Sequence, residues 1–171
     1  AAYENEDTMH RVWTQITDWA VERRSRLNRL WNDAETQSAA LLSDEISLGQ
    51  TWDGPALALK SQGAPVHYQA PVEGAMAWVD GLAMPKAAAH VEEAYAFIEF
   101  AYDPENAGLA TQSHGYNSPV LGADRFAGET YAKNFAEAYP ADSLSKLNPW
   151  PAEAPWYAAL RAEFVAKFKN A

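Results

Sequence analysis

The sequence contains no cysteine, which excludes disulfide bonds, thiolate nucleophiles and zinc sites with thiolate ligands. Basic residues are also scarce: 13 Lys and Arg stand against 23 Asp and Glu, which gives a formal net charge of −10. We therefore expect no nucleic-acid partner, because neutralisation of phosphates by basic residues drives that kind of affinity. An acidic chain is better matched to cationic ligands or partners.

Long hydrophobic runs and familiar catalytic motifs are missing as well. No stretch approaches the roughly 18–20 apolar residues of a membrane-spanning helix. The first seven residues, AAYENED, lack the basic and apolar regions of a secretory signal, so the signal of an exported protein is expected outside this chain. No phosphate-binding glycine loop, nucleophile elbow or HExxH motif occurs, and the four histidines lack metal-ligand spacing. The sequence therefore predicts neither an enzyme nor a metal or cofactor site.

The composition is that of a folded domain with several helices. The 171 residues correspond to about one domain of ordinary size, and 7 Trp, 8 Tyr and 6 Phe supply large core side chains. Apolar spacings of three and four, together with capping residues such as Asp33, Asp103 and Gly115, predict where helices begin and end. The predicted helices cover residues 9–30, 34–42, 55–63, 91–102, 104–114, 130–138 and 156–168.

Three short segments have the pattern of β-strands. Residues 46–52, 66–70 and 75–84 are predicted as strands from their alternation and their flanking turn residues. Strands that alternate with helices indicate an α/β architecture. Three strands are few for a complete sheet.

Aromatic residues stand beside carboxylates at the ends of these predicted strands. Trp52 is followed by Asp53, and Trp78 and Asp80 are two residues apart, so that in a strand both would face one cleft. An indole face attracts an ammonium group, and a carboxylate adds a charge-assisted hydrogen bond. Such a pair could bind a primary amine. On the residues alone, packing roles for Trp52 and Trp78 are the favoured interpretation and the amine site is the alternative.

Several segments resemble a known family. Residues 48–56, LGQTWDGPA, resemble the strand and turn of bacterial extracellular solute-binding proteins. Residues 73–85, EGAMAWVDGLAMP, resemble the more specific block of the spermidine/putrescine-binding subset. The helix at 90–102 with the following Asp-Pro-Glu, and residues 112–119, QSHGYNSP, are similar to further segments of the family. The resemblance runs from about Asp33 to the C-terminus.

The resemblance implies a partial type II periplasmic binding-protein fold, with most of lobe two and a short segment of lobe one. Residues 1–77 and 125–171 would belong to lobe two, and residues 78–124 would form a crossover strand and the lobe-one segment. In this family the ligand lies in a cleft between two α/β lobes. The family is not enzymatic: it delivers ligand in the periplasm to the membrane permease of an ABC importer.

The same resemblance implies roles for five residues in binding a polyamine such as spermidine or putrescine. Trp52 would form a wall of the cleft, Trp78 would stack on the ligand, and Asp80 would pair with an ammonium group. Tyr116 would contribute from the opposite lobe. Asp53 replaces an asparagine common in the family, so it either adds a charge or caps the turn, and the cap is favoured.

Two alternatives remain open on function. The same fold could bind a sugar or another small polar solute, or the chain could be a truncated interaction module that binds no small molecule. Without the other half of the protein, the apolar face of residues 79–124 is expected to be exposed. Dimerisation, swapping or rearrangement through that face is predicted.

Overall fold

The computed structural model describes residues 5–43 and 45–171. The described residues form seven α-helices and two short strands: α1 Glu6–Val21, α2 Ala34–Leu42, α3 Asp53–Ser61, β1 Met76–Ala77, α4 Val91–Ala101, α5 Pro104–His114, α6 Glu129–Ala138, β2 Asn148–Pro149 and α7 Pro155–Lys169. In residues 5–43 and 45–171, none of the helices has the length and apolar character needed to cross a membrane. The chain divides into two compact units, Ala1–Leu30 with Pro151–Ala171, and Trp31–Trp150.

The first unit is built on the packing of α1 against α7. Its buried core consists of Met9, Tyr157, Leu160 and Phe164. Trp13 lies against this core and stacks on Phe164, with ring centroids 6.1 Å apart. Lys167 Nζ lies 2.9 Å from Asp18 Oδ1, so that a salt bridge also joins the two helices.

The second unit has its core between α3 and α6. Leu57 of α3 is fully buried and packs with Ala127, Tyr131 and Ala138. Aromatic side chains of lower burial, among them Phe135 and Tyr139, extend this cluster outward from α6. The core therefore supports the end of α6 from which aromatic side chains reach the surface.

Most helix boundaries follow the local signals in the sequence. Asp33 caps α2 by accepting a hydrogen bond from the Thr36 backbone at 2.7 Å. Asp103 caps α5 in the same way, with Pro104 in the first turn. Gly115 ends α5 in the left-handed conformation, at φ 82°. These boundaries confirm the predictions made from the capping residues.

The prediction of a first helix over residues 9–30 is wrong in its second half. The helix ends at Val21, and a short 3₁₀ turn follows at Arg24–Arg26. Leu27 and Leu30, which continue the apolar spacing, are exposed. An apolar face stabilises a helix only when another element covers it, so the spacing alone does not extend α1.

The three strand predictions are largely wrong. Residues 46–52 and 66–70 are irregular, and of residues 75–84 only Met76–Ala77 form a strand. That strand pairs in parallel with Asn148–Pro149, Met76 being opposite Asn148. A strand needs a partner for its backbone groups, and the pairing partner cannot be read from local alternation. The mostly helical structure with one parallel pair fits an α/β fold.

Residues 79–124 expose apolar side chains, as expected. None of the described residues of α4 is buried, although the helix carries Val91, Tyr95, Phe97 and Phe100. Phe97 and Phe100 are each 61% exposed. The helix therefore has an apolar surface that the rest of the unit does not cover.

Candidate ligand-binding site

A cavity of about 790 Å³ opens in the second unit. Four of the five predicted site residues line it: Asp53, Trp78, Asp80 and Tyr116. Further parts of the wall come from the segment after β1, from the end of α5 and from the aromatic residues of α6. Its volume lies in the range of roughly 300–1,000 Å³ that is typical of small-molecule sites.

Two glycines bring the start of α3 next to the end of α5. A Cβ atom on Gly54 would lie 2.6 Å from the ring of Tyr116, and a Cβ atom on Gly115 would lie 2.0 Å from the Gly54 carbonyl oxygen. Only the absence of both side chains allows this approach. The ring of Tyr116 therefore lies directly on the first turn of α3, beside Asp53.

Trp78 and Asp80 contact each other, as their spacing predicts. The Trp78 indole Nε1 donates a hydrogen bond to Asp80 Oδ2 at 3.4 Å. Both residues follow β1 instead of lying within a strand, since β1 ends at Ala77. Trp78 is 47% exposed and Asp80 is exposed as well. An indole and a carboxylate are therefore both accessible to a ligand on this side of the cavity.

Trp52 lies behind Trp78, outside the cavity lining. Its ring centroid is 6.5 Å from that of Trp78, at an interplanar angle of 71°. On its other side Trp31 makes a second edge-to-face contact at 4.9 Å. The three indoles form a ladder, the Trp31–Trp52–Trp78 ladder, in which Trp52 supports the exposed member.

Asp53 is held by hydrogen bonds to both of its carboxylate oxygens. Oδ1 accepts from the Gly54 backbone at 2.9 Å, and Oδ2 accepts from the Tyr139 hydroxyl at 2.8 Å. Burial, and then the charge of Asp53, raises the pKa of Tyr139, so that its hydroxyl keeps its proton and acts as the donor. Asp53 therefore both caps the turn and presents a fixed carboxylate to the cavity.

Tyr139 lines the cavity but was not among the site residues predicted from the sequence. It follows the last residue of α6, and it lines the cavity together with Phe135 four residues earlier. The two rings lie 4.8 Å apart, as expected for aromatic residues at this helical spacing. That spacing was a signal in the sequence, but nothing local linked Tyr139 to Asp53, 86 residues away.

Tyr116 lies in the electric field of both carboxylates. Burial raises the pKa of Tyr116, and the charges of Asp53 and Asp80 raise it further. Its backbone N–H donates to His114 Nδ1 at 3.0 Å. Desolvation lowers the pKa of His114, which favours the neutral imidazole that this acceptor role requires.

The charges of the cavity suit a cation. None of the described residues that line it is Lys or Arg, so the two carboxylates have no basic partner there. Among the residues that the structure describes, no group of three or more His, Asp and Glu is placed to hold a metal ion. Indole, phenol and carboxylate side chains together fit an organic cation with an apolar chain.

The chain is similar in sequence to known bacterial solute-binding proteins. A family model described as bacterial extracellular solute-binding protein matches residues 2–139. The spermidine/putrescine-binding periplasmic protein of Escherichia coli is 29% identical over 128 residues, and that of Salmonella typhimurium is 31% identical over 129 residues. Each match covers 75% of this chain and 36% of the relative.

A third relative is the spermidine/putrescine-binding periplasmic protein 1 of Haemophilus influenzae, which is 28% identical over 125 residues. That match covers 73% of this chain and 34% of the relative. The chain thus spans about a third of the length of the curated relatives it matches. No solved structure matches the chain at a significant level.

Proposed function

The chain belongs to the bacterial extracellular solute-binding protein family, and on that premise we propose that it is part of the substrate-binding component of an ABC importer. The proposed ligand is a polyamine such as spermidine or putrescine, as in the names of the relatives. The proposed location is the periplasm, and the proposed protein partner is the membrane permease. This role is one of binding and delivery and includes no catalysis.

The arrangement of Trp78 and Asp80 carries the proposal. An exposed indole in contact with a carboxylate offers both attractions that an ammonium group needs. Tyr116 and Asp53 add a phenol and a second carboxylate to the same cavity. In the proposed complex Trp78 stacks on the carbon chain, and Trp52 holds Trp78 in place.

The proposed architecture is a partial type II periplasmic binding-protein fold. Residues 1–77 and 125–171 are assigned to lobe two, and residues 78–124 to the crossover strand and a lobe-one segment. The uncovered apolar face of α4 supports this assignment, because a helix of that composition is normally covered. For the chain in isolation, we propose that this face mediates self-association.

A neutral solute is the competing ligand class, because exposed aromatic faces such as that of Trp78 also stack on sugars. The two classes differ in their need for charge. A sugar gains nothing from an unpaired carboxylate, whereas an ammonium group depends on it. Asp80 therefore separates the two proposals.

The test is calorimetric titration of putrescine, spermidine and glucose into the native chain and into Asp80→Asn. We expect polyamine binding by the native chain and a loss of about tenfold or more in the variant, the lower end of what a hydrogen bond to a charged group contributes. Glu163→Gln is the control, because it makes the same charge change on an exposed residue of α7.

Three results would contradict the proposal in different ways. Equal polyamine affinity in Asp80→Asn would exclude the role of this carboxylate. Binding of glucose in place of polyamines would favour the neutral solute. Binding of none of the three by the native chain would indicate an interaction module.

A further inference from the structure

The Asp53 carboxylate is fixed in one orientation. Each of its oxygens accepts one hydrogen bond, from the Gly54 backbone and from the Tyr139 hydroxyl. Asp53 is also the first residue of α3, where the positive end of the helix dipole favours a negative side chain. Each carboxylate oxygen keeps a further lone pair for another donor. The group is therefore preorganised and can still accept a hydrogen bond from a ligand.

Tyr116 relates Asp53 to the other carboxylate of the cavity. Because the charges of both Asp53 and Asp80 act on its phenol, Tyr116 lies within electrostatic reach of both groups. All three side chains line the same cavity. Of the described lining residues, none carries a positive charge that would compensate the pair. Two like charges that line one cavity repel each other unless a ligand supplies the counter-charge.

We infer that Asp53, positioned by the Tyr139 hydroxyl, is a second ammonium-binding group, and that the cavity selects ligands by their number of ammonium groups. This inference rests on the proposed function of the same site and specifies which residue reads the second charge. A diammonium ion satisfies both carboxylates. A monoammonium ion of the same carbon length leaves one of them desolvated without a partner.

The variant Asp53→Asn distinguishes a role of Asp53 in binding a second ammonium group from a purely structural role. The side-chain carbonyl of asparagine can accept the bond from Tyr139 or from Gly54, and the shape of the side chain is that of aspartate. Asp53→Asn therefore removes the charge with little change in shape. If Asp53 served only to join α3 to α6, this variant would leave the preference among ligands unchanged.

The experiment compares putrescine with butylamine, which has the same four carbons and one ammonium group. Calorimetry gives both dissociation constants for the native chain, Asp53→Asn and Glu163→Gln. We expect Asp53→Asn to weaken putrescine by about tenfold, the lower end of the range for a hydrogen bond to a charged group. Butylamine should change by no more than about twofold, as should both ligands in Glu163→Gln.

Tyr139→Phe tests the positioning role of the hydroxyl. The ring and its contact with Phe135 remain, while the hydrogen bonds of the hydroxyl with Asp53 and Tyr68 are lost. We expect the ratio of putrescine affinity to butylamine affinity in Tyr139→Phe to lie between the ratio for the native chain and the ratio for Asp53→Asn. In the double variant Tyr139→Phe should have no further effect on the ratio, because the charge it positions is gone.

The outcomes distinguish this inference from the proposed function. If the native chain binds putrescine, and the ratio is unchanged in Asp53→Asn, this inference is overturned while polyamine binding stands. A change in ratio for Tyr139→Phe that persists in the double variant would overturn the positioning role. If the native chain binds neither amine, this inference is refuted, and the proposed function is refuted as well if spermidine also fails to bind.

Discussion

At the scale of single residues, two glycines determine the shape of the cavity wall. Gly54 and Gly115 let the first turn of α3 approach the end of α5 more closely than any side chain would permit. Gly115 is doubly constrained, because its φ of 82° also lies in the left-handed region. The position of Tyr116, and through it the electrostatics of the cavity, depends on this approach.

Gly115→Ala should therefore destabilise the fold by about 2–5 kcal/mol, the sum of left-handed strain and overpacking. Gly63→Ala is the matched control, because Gly63 has a φ of 89° but open space around it. That variant should cost only about 1–2 kcal/mol. Urea titration gives both free energies of unfolding, and equal losses would show that the contact with Gly54 contributes nothing.

Some residues of the site could be predicted from the sequence and others could not. Trp78 and Asp80 were found because they are two positions apart, and any extended backbone places them together. The bond between Asp53 and Tyr139 could not be predicted, since it joins the start of α3 to the residue after α6, 86 positions further along the chain. Local spacing carries information about neighbours in the chain, but long-range contacts depend on how helices pack.

At the scale of elements, α3 and α4 both carry apolar side chains, but only α3 buries them. Leu57 of α3 is 0% exposed, whereas no described residue of α4 is buried. Helix boundaries were predictable because caps act within a few residues of the helix end. The strands could not be predicted in this way, because a strand forms only where a second segment pairs with it. Here the partner of Met76 is Asn148, 72 residues further along the chain.

Replacing Phe97 and Phe100 together by serine tests whether α4 is uncovered. The free energy of unfolding should change by no more than about 0.5 kcal/mol per site, because both side chains are exposed and serine has a similar helix propensity. Leu57→Ala, the buried counterpart, should cost about 2–5 kcal/mol. Sedimentation velocity of the same double variant should show weaker self-association. A large loss of stability at a protein concentration where sedimentation shows only monomer would mean that another part of the chain covers α4.

At the scale of the whole molecule, the cavity belongs to one of the two compact units. Every described residue that lines the cavity belongs to Trp31–Trp150. The same unit contains its own core of Leu57, Ala127, Tyr131 and Ala138. A unit with its own core can fold alone in principle.

A fragment of residues 31–150 should consequently bind putrescine with the affinity of the full chain. Circular dichroism checks that the fragment is helical, and calorimetry measures its dissociation constant. A helical fragment that has lost binding would contradict this expectation and would assign part of the site to the remaining residues. Fragment 31–150 with Asp80→Asn is the matched control, since it should fold equally well and bind more weakly.

The Trp31–Trp52–Trp78 ladder also has an optical consequence. Indoles separated by 4.9 and 6.5 Å exchange excitation energy efficiently, so light absorbed by any of the three can be emitted from another. The outer member is the half-exposed Trp78. Any molecule that covers its face displaces water from the chromophore and changes the colour and intensity of the emission. We therefore expect the tryptophan emission of the protein to change when a ligand occupies the cavity.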